Sequence, residues 1–106
     1  EVAFGLENPP TAIIATRSRY VLNLMSWMAE RRLRIPDDLS LVALCYETWY
    51  EQLRPTITHY HSEPDIIAGS VVRKILRIAS SELKGTQQKL LIPDCFEGAS
   101  VRKSSY

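Results

Sequence analysis

The chain has 106 residues, of which 45% are hydrophobic, and a formal net charge of +1. A chain of this length forms one small domain or part of a larger one, and its near-neutral charge argues against an extended nucleic-acid-binding surface within it. No apolar run approaches the roughly 20 residues of a membrane-spanning helix and no signal peptide is visible, so we expect no membrane partner. Two cysteines, Cys45 and Cys95, do not make a disulfide scaffold and indicate free thiols in a reducing compartment. The chain begins at Glu1 without a methionine, and we interpret it as a fragment of a longer protein.

Strand-like and helical segments alternate along the first half of the chain. Residues 11–15 form a short apolar run, which is typical of a strand covered on both faces. Ser18 is suited to cap a helix that runs to about Arg32. A second buried strand, a short helical turn and a brief extended segment are predicted next, at 39–44, 46–54 and 57–60.

The second half of the chain begins with a helix signal. Ser62 is suited to be the N-cap, and Pro64 lies in the first turn. We expect the helix to run to about Lys84, with one apolar side lying on a sheet. Residues 89–92 then predict a third strand, which is followed by an irregular tail. The alternation of elements predicts an α/β fold with short, mainly parallel strands and two long helices.

The first predicted helix carries apolar residues over roughly two-thirds of its circumference, at about 100° per residue. One sheet cannot cover so wide an arc, so a second surface is expected against it. More protein from the same domain and a second subunit are the two candidates. If the second surface is another subunit, the homodimer interface would be formed by residues of the helix and by one later leucine, namely Tyr20, Leu22, Met25, Met28 and Leu53.

Several segments resemble the lactose-repressor (LacI/GalR) family of transcription regulators. Residues 33–42, LRIPDDLSLV, resemble the family pattern LRVPEDLSVV, in which a helix ends and a strand begins. Residues 10–15, PTAIIA, resemble the family's PTAIFA strand at the right distance upstream. Further similarity lies at 53–58, 91–94 and 99–101, so the resemblance covers nearly the whole chain. Motifs in the right order are more specific than any one of them alone.

The resemblance implies a Rossmann-like fold of the periplasmic-binding-protein type, with two lobes hinged around a small-molecule effector. This chain would be the C-terminal part of that effector-binding domain. Residues 1–61 would lie mostly in the C-terminal lobe, 62–93 would return to the N-terminal lobe, and 94–106 would form the tail. The resemblance also implies a cytoplasmic homodimer that binds operator DNA only through a headpiece missing from this chain.

The effector site that the resemblance implies is formed by Arg17, Cys45, Tyr46 and Ser62. In the family, an Asn, an Asp that binds sugar hydroxyls and a Gln match Arg17, Cys45 and Ser62. Replacing Asp by Cys and Asn by Arg removes sugar-binding chemistry and adds a positive charge, which needs a carboxylate or phosphate partner. We therefore favour an anionic effector. A sugar-like effector, a degenerated pocket and an acidic protein partner for Arg17 are the alternatives.

Two further groups of residues suggest chemistry but have simpler explanations. His59 and His61 share one face of an extended segment, yet we favour solvated or hinge-packed histidines over a metal site. Cys45 is better interpreted as a structural thiol than as a nucleophile, because no histidine lies near it in the sequence. No acid–base constellation is found, so we predict neither an enzyme nor a cofactor.

The sequence therefore predicts the effector-binding and dimerisation segment of a LacI-type transcription regulator. The alternative is a periplasmic-type sugar or solute-binding protein of the same architecture. A helix-turn-helix pattern upstream in the gene would identify the regulator, and a signal peptide there would identify the solute-binding protein.

Overall fold

The computed structural model describes residues 2–82 and 84–104. Its contacts divide the chain into two compact units, which are described separately. The first comprises Glu1–His61 and Cys95–Tyr106, and the second comprises Ser62–Asp94. Ser62 is the one predicted site residue that belongs to the second unit.

A four-stranded sheet with the order β1-β2-β3-β4 organises the fold. Both β1–β2 and β2–β3 pair in parallel, so the predicted α/β fold with parallel strands is confirmed. A helix, α1, connects β1 to β2, as a parallel pair requires. The strands are β1 Ala12–Ala15, β2 Ser40–Ala43, β3 Thr58–His61 and β4 Asp94–Phe96; α1 spans Ser18–Glu30, and short 3-10 helices cover Val2–Gly5 and Thr48–Gln52.

The core of the first unit lies between α1 and one face of the sheet. Ala15 pairs with Ala43 in register, and the two-residue period of a strand directs Leu41 to the same face as Ala43. From α1, Val21 and Met28 face this surface and are 0% and 2% exposed. Burial of each large side chain is worth about 1.5–3 kcal/mol, so this layer supplies much of the unit's stability.

The opposite face of the sheet is covered unevenly within the first unit. The C-terminal segment lies against its β2–β3 part, where Ser40 and Thr58 are each 8% exposed, whereas β1 is exposed on this face. Ile14 is 63% exposed, and its register partner Val42 is half-buried. The prediction of a first strand covered on both faces is therefore wrong within the described chain. The reason is that α1 lies on one side of the sheet only, and strand alternation turns every second side chain away from it.

The C-terminal segment is hydrogen-bonded to β2 and β3 through Ser100, which is fully buried. Its hydroxyl accepts a hydrogen bond from the Thr58 backbone N–H at 2.8 Å and donates one to the Leu41 carbonyl oxygen. A Cβ on neighbouring Gly98 would lie 2.6 Å from the Thr56 carbonyl oxygen, so the close backbone approach requires glycine there.

Both predicted serine caps are wrong. Arg17, not Ser18, is the N-cap of α1, because its extended backbone (φ −139°, ψ 146°) is the last one before the helix. The second helix, α2, spans Pro64–Ala79 and has Glu63 as its N-cap. Proline excludes the helical region for the residue before it, so the helix cannot begin earlier. Neither cap residue makes a side-chain capping hydrogen bond.

The second unit also ends its helix earlier than predicted. Ser81 adopts a left-handed backbone with φ 63°, which terminates α2 before Gly85 is reached. Leu83, counted in the predicted apolar side, lies outside the described residues. The predicted packing of α2 on a sheet is not found within the described part of the second unit. Its large apolar side chains are more than two-fifths exposed, namely Ile66, Ile67, Val71, Val72, Ile75, Leu76 and Ile78.

The predicted strand at 89–92 is wrong. Leu90 and Ile92 are 86% and 84% exposed and lie in irregular structure. The strand found in this region is β4, which begins at Asp94 and lies next to β3 in the sheet. An apolar run becomes a strand only where a neighbouring strand accepts its hydrogen bonds.

Candidate functional site

The carboxyl ends of β1, β2 and β3 form one edge of the sheet. Ala15 pairs with Ala43, which pairs with His59, so these residues form one row across three strands. Arg17 lies two residues after the end of β1, and Cys45 lies two residues after the end of β2. Because β1 and β2 are a parallel pair, both of these predicted ligand residues follow strand ends at one edge of the sheet, which is the edge where open parallel sheets bind ligands.

Arg17 is exposed at this edge. It lies two residues after the end of β1 and immediately precedes α1. Among residues 2–82 and 84–104, no hydrogen bond or ion pair to its side chain is found. The guanidinium therefore has all its donors available for a ligand.

Cys45 is half-buried and interacts with Tyr50. Its Sγ lies 3.0 Å from the Tyr50 hydroxyl, at hydrogen-bond distance. Tyr50 is fully buried, and burial first and the Cys45 hydrogen bond second raise the pKa of Tyr50 far above its usual range. The phenol is therefore neutral, and the Cys45 thiol is its hydrogen-bond partner.

Tyr46 lies in a group of stacked rings at the same edge. Its ring is 4.6 Å from that of His61 and 5.2 Å from that of His59. His59 is 1% exposed, and its Nδ1 lies 2.9 Å from the Ile57 carbonyl oxygen. A carbonyl oxygen only accepts, so Nδ1 carries the proton of this hydrogen bond. Within the described ranges, no group of three or more His, Cys, Asp or Glu residues is arranged to hold a metal ion.

Ser62 is half-buried and lies two residues before α2 in the second unit. Its predicted contact with an effector stays a prediction.

The predicted dimer residues fall into different environments. Met28 is 2% exposed and belongs to the core, and Met25 and Leu53 are partly buried against it. Packing within the chain therefore buries Met28 without a second subunit. The apolar surface that α1 exposes is narrower than the sequence indicated. Tyr20 and Leu22 are 45% and 48% exposed. Successive residues of a helix are about 100° apart, so residues two positions apart are separated by about 200°, or about 160° the shorter way round. Tyr20 and Leu22 therefore lie on opposite flanks of α1.

An apolar groove follows the Leu22 flank of α1. Its volume is about 300 Å³, and charged residues stand at its rim. It is lined by Met25, Met28, Ala29, Leu33, Arg34, Ile35, Asp37, Arg54 and Pro55. The other flank is partly covered within the chain, because Phe4 packs on Trp27 at 4.9 Å and Arg31 lies over the same ring at 4.3 Å.

Three residues of this region were not predicted as functional from the sequence. Tyr50 and Phe96 contribute rings to the group around His59, at 5.5 Å and 5.0 Å. Ser100 fastens the tail. A buried tyrosine in a helical turn carries no distinctive signal, and Phe96 is brought in from a distant part of the sequence.

Residues 2–101 match the family model of the periplasmic binding protein-like domain. The chain belongs to this family. As a periplasmic binding protein-like domain, it is similar to a LacI-type transcriptional regulator from Bacillus cereus subsp. cytotoxis, with a TM-score of 0.80 and 17% identity over 94% of this chain and 36% of that one. It is also similar to the Lac repressor bound to ONPG, with a TM-score of 0.75 and 22% identity over 87% of this chain and 28% of that one.

A sequence relative of this periplasmic binding protein-like domain is the probable opine utilization operon repressor of Rhizobium rhizogenes. The two are 29% identical over 99 residues, which are 92% of this chain. The chain spans 50% of the length of that relative. The predicted resemblance to LacI/GalR regulators is confirmed by these comparisons, in which the relatives are transcription regulators rather than enzymes.

The helices of this periplasmic binding protein-like domain, over the residues described, include none with the length and apolar character needed to cross a bilayer.

Proposed function

We propose that this chain is the effector-binding and dimerisation part of a cytoplasmic LacI-type transcription regulator that binds operator DNA through a separate headpiece. Residues 1–61 would belong mostly to its C-terminal lobe, 62–93 to its N-terminal lobe, and 94–106 to the tail. The fold and the regulators among its relatives support this proposal. The observation that supports the site is that β1 and β2 run parallel and end at the same edge, where Arg17 and Cys45 each follow two residues after the strand.

The proposed effector is an anion. An exposed guanidinium without a partner among the described residues can bind a carboxylate or phosphate in a bidentate way. Cys45 offers little to a neutral sugar, because a thiol is a weak donor and acceptor and this one already contacts Tyr50. The named relative is connected with opine utilization, and opines carry carboxylates, which agrees with an anionic effector. Tyr46 and Ser62 complete the proposed contacts.

The proposed homodimer uses the Leu22 flank of α1. Leu22 is about half exposed, and the groove beside it is lined by apolar side chains such as Met25, Leu33 and Pro55. Arg54 and Asp37 stand in the same groove, so a two-fold partner could pair opposite charges across the interface. Tyr20 lies on the other flank and serves as a comparison.

Calorimetry on the intact protein that contains this chain tests the site. Sugar phosphates, carboxylic acids including an opine, and plain sugars are titrated into the wild type, Arg17→Ala and Arg19→Ala. Arg19 is a matched control, because it is exposed nearby but contacts the Tyr20 ring instead. An anion should bind the wild type and Arg19→Ala and lose at least about tenfold in affinity with Arg17→Ala, which corresponds to one charge-assisted hydrogen bond. Tight binding of a plain sugar, unchanged in Arg17→Ala, would contradict the proposal.

A further inference from the structure

The carboxyl edge of the sheet carries a cluster of five rings. We call it the ring cluster; its members are Tyr46, Tyr50, His59, His61 and Phe96. His59 is its centre, with ring centroids of the other members between 5.0 and 6.0 Å away. These spacings lie in the range of attractive aromatic pairs. All five residues belong to the first unit.

The ring cluster has a fixed floor and an exposed rim. Tyr50 and His59 are 0% and 1% exposed, and each is held by a hydrogen bond, to Cys45 and to the Ile57 carbonyl oxygen. Tyr46, in contrast, is 40% exposed although it stacks on His61. Because the Tyr46 ring packs on the buried, hydrogen-bonded His59 and on His61, it should lose little conformational freedom when a ligand stacks on it.

Arg17 adds a charge beside this aromatic surface. Arg17 follows the end of β1 and Cys45 follows the end of β2, each by two residues, and His61 is the last residue of β3, so all three lie at the carboxyl edge of the parallel strands. Tyr46 follows Cys45 directly and stacks on His61, so an aromatic surface and a cation border the same stretch of edge. Of these groups, Cys45 is the weakest hydrogen-bonding partner, so a ring next to it loses no strong polar contact.

We propose that the effector is a planar aromatic or heteroaromatic acid, whose ring stacks on Tyr46 and whose carboxylate pairs with Arg17. This inference rests on the proposed anionic site and names the class of its ligand. An aliphatic anion would leave the exposed Tyr46 ring unused, and a neutral sugar would leave Arg17 unpaired. The aromatic acid uses both groups together.

Calorimetry with matched probes on the intact protein tests the ring. Benzoate and nicotinate carry the proposed ring and charge, cyclohexanecarboxylate keeps the charge without the aromatic ring, and benzamide keeps the ring without the charge. The wild type should bind the aromatic acids about tenfold more tightly than cyclohexanecarboxylate, which corresponds to the energy of a stacked aromatic pair. Benzamide should bind the wild type more weakly than benzoate does. In Arg17→Ala this difference in affinity should disappear.

Three variants identify the ring responsible. Tyr46→Phe should keep the preference for aromatic acids, because stacking needs no hydroxyl, whereas Tyr46→Leu should abolish it while retaining apolar bulk. Tyr20→Leu, at an exposed tyrosine on α1, is the matched control and should keep the preference. Circular dichroism of each variant verifies that it folds.

The outcomes separate this inference from the proposed function. Equal binding of benzoate and cyclohexanecarboxylate, both dependent on Arg17, overturns the aromatic class and leaves the anionic site standing. The same holds if an aliphatic opine binds best and Tyr46→Leu has no effect. If no anion binds in an Arg17-dependent way, the proposed anionic site fails and the inference fails with it.

Discussion

Replacing Ser100 by alanine should loosen the junction between β2 and β3. The buried hydroxyl accepts a hydrogen bond from the Thr58 backbone N–H at 2.8 Å and donates one to the Leu41 carbonyl oxygen. Alanine leaves the N–H without this acceptor, and a buried unpaired backbone group costs about 1–3 kcal/mol. The Leu41 carbonyl oxygen can still accept a hydrogen bond through its second lone pair, so losing the Ser100 hydroxyl costs less there. In total, the variant should be less stable by about 2–4 kcal/mol.

Hydrogen exchange of the intact protein, followed by mass spectrometry, measures this loss where it occurs. The peptide containing Thr58 should exchange about 30- to 700-fold faster in Ser100→Ala, since each tenfold change corresponds to 1.4 kcal/mol. Ser26→Ala, at an exposed position on α1, is the matched control and should leave this peptide unchanged. If Ser100→Ala exchanged at the wild-type rate there, the assigned role of the hydroxyl would be refuted.

Three further predictions concern the dimer and the packing of the first unit. Leu22→Asp should yield monomers by sedimentation velocity at low micromolar concentration, whereas Tyr20→Asp on the opposite flank should remain dimeric; persistent dimers in Leu22→Asp would rule out this interface. Gly98→Ala should lower the free energy of unfolding in denaturant by about 1–3 kcal/mol, because the added Cβ would meet a backbone oxygen at 2.6 Å, and an unchanged midpoint would contradict this. Tyr50→Phe should cost about 0.5–1.5 kcal/mol in the same assay, because it removes the hydrogen bond with Cys45; a neutral or stabilising effect would show that the bond contributes nothing.

Local patterns predicted the first half of the fold well. The apolar runs at 11–15 and 39–44 became β1 and β2, and the helical period after residue 17 became α1. The strand at 89–92 failed, because its apolar residues find no partner strand and stay exposed. The real edge strand, Asp94–Phe96, has no alternating pattern and is defined by its place beside β3. Strand pairing depends on residues that are far apart in the sequence, so a short stretch of sequence does not reveal it.

The candidate site was predictable only where it lies at strand ends. Arg17 and Cys45 each lie two residues after the end of a strand, so their place at the edge of the sheet followed from the positions of the strands. The ring cluster was not predictable, because Phe96 reaches His59 only after the chain has passed through the second unit. The predicted dimer residues of α1 do not share one surface, because Met28 is buried in the core and the exposed Tyr20 and Leu22 lie on opposite flanks of the helix.

Operator binding by the intact protein tests the central claim most directly. Fluorescence anisotropy with the DNA upstream of its own gene would be measured for the wild type and Arg17→Ala, with and without an aromatic acid found to bind. Both proteins should bind the DNA equally without effector, and the acid should change the affinity of the wild type by about 5- to 150-fold. Arg17→Ala should need at least about tenfold more acid for the same change. An intact protein that binds no DNA, or an effector response identical in Arg17→Ala, would contradict the account.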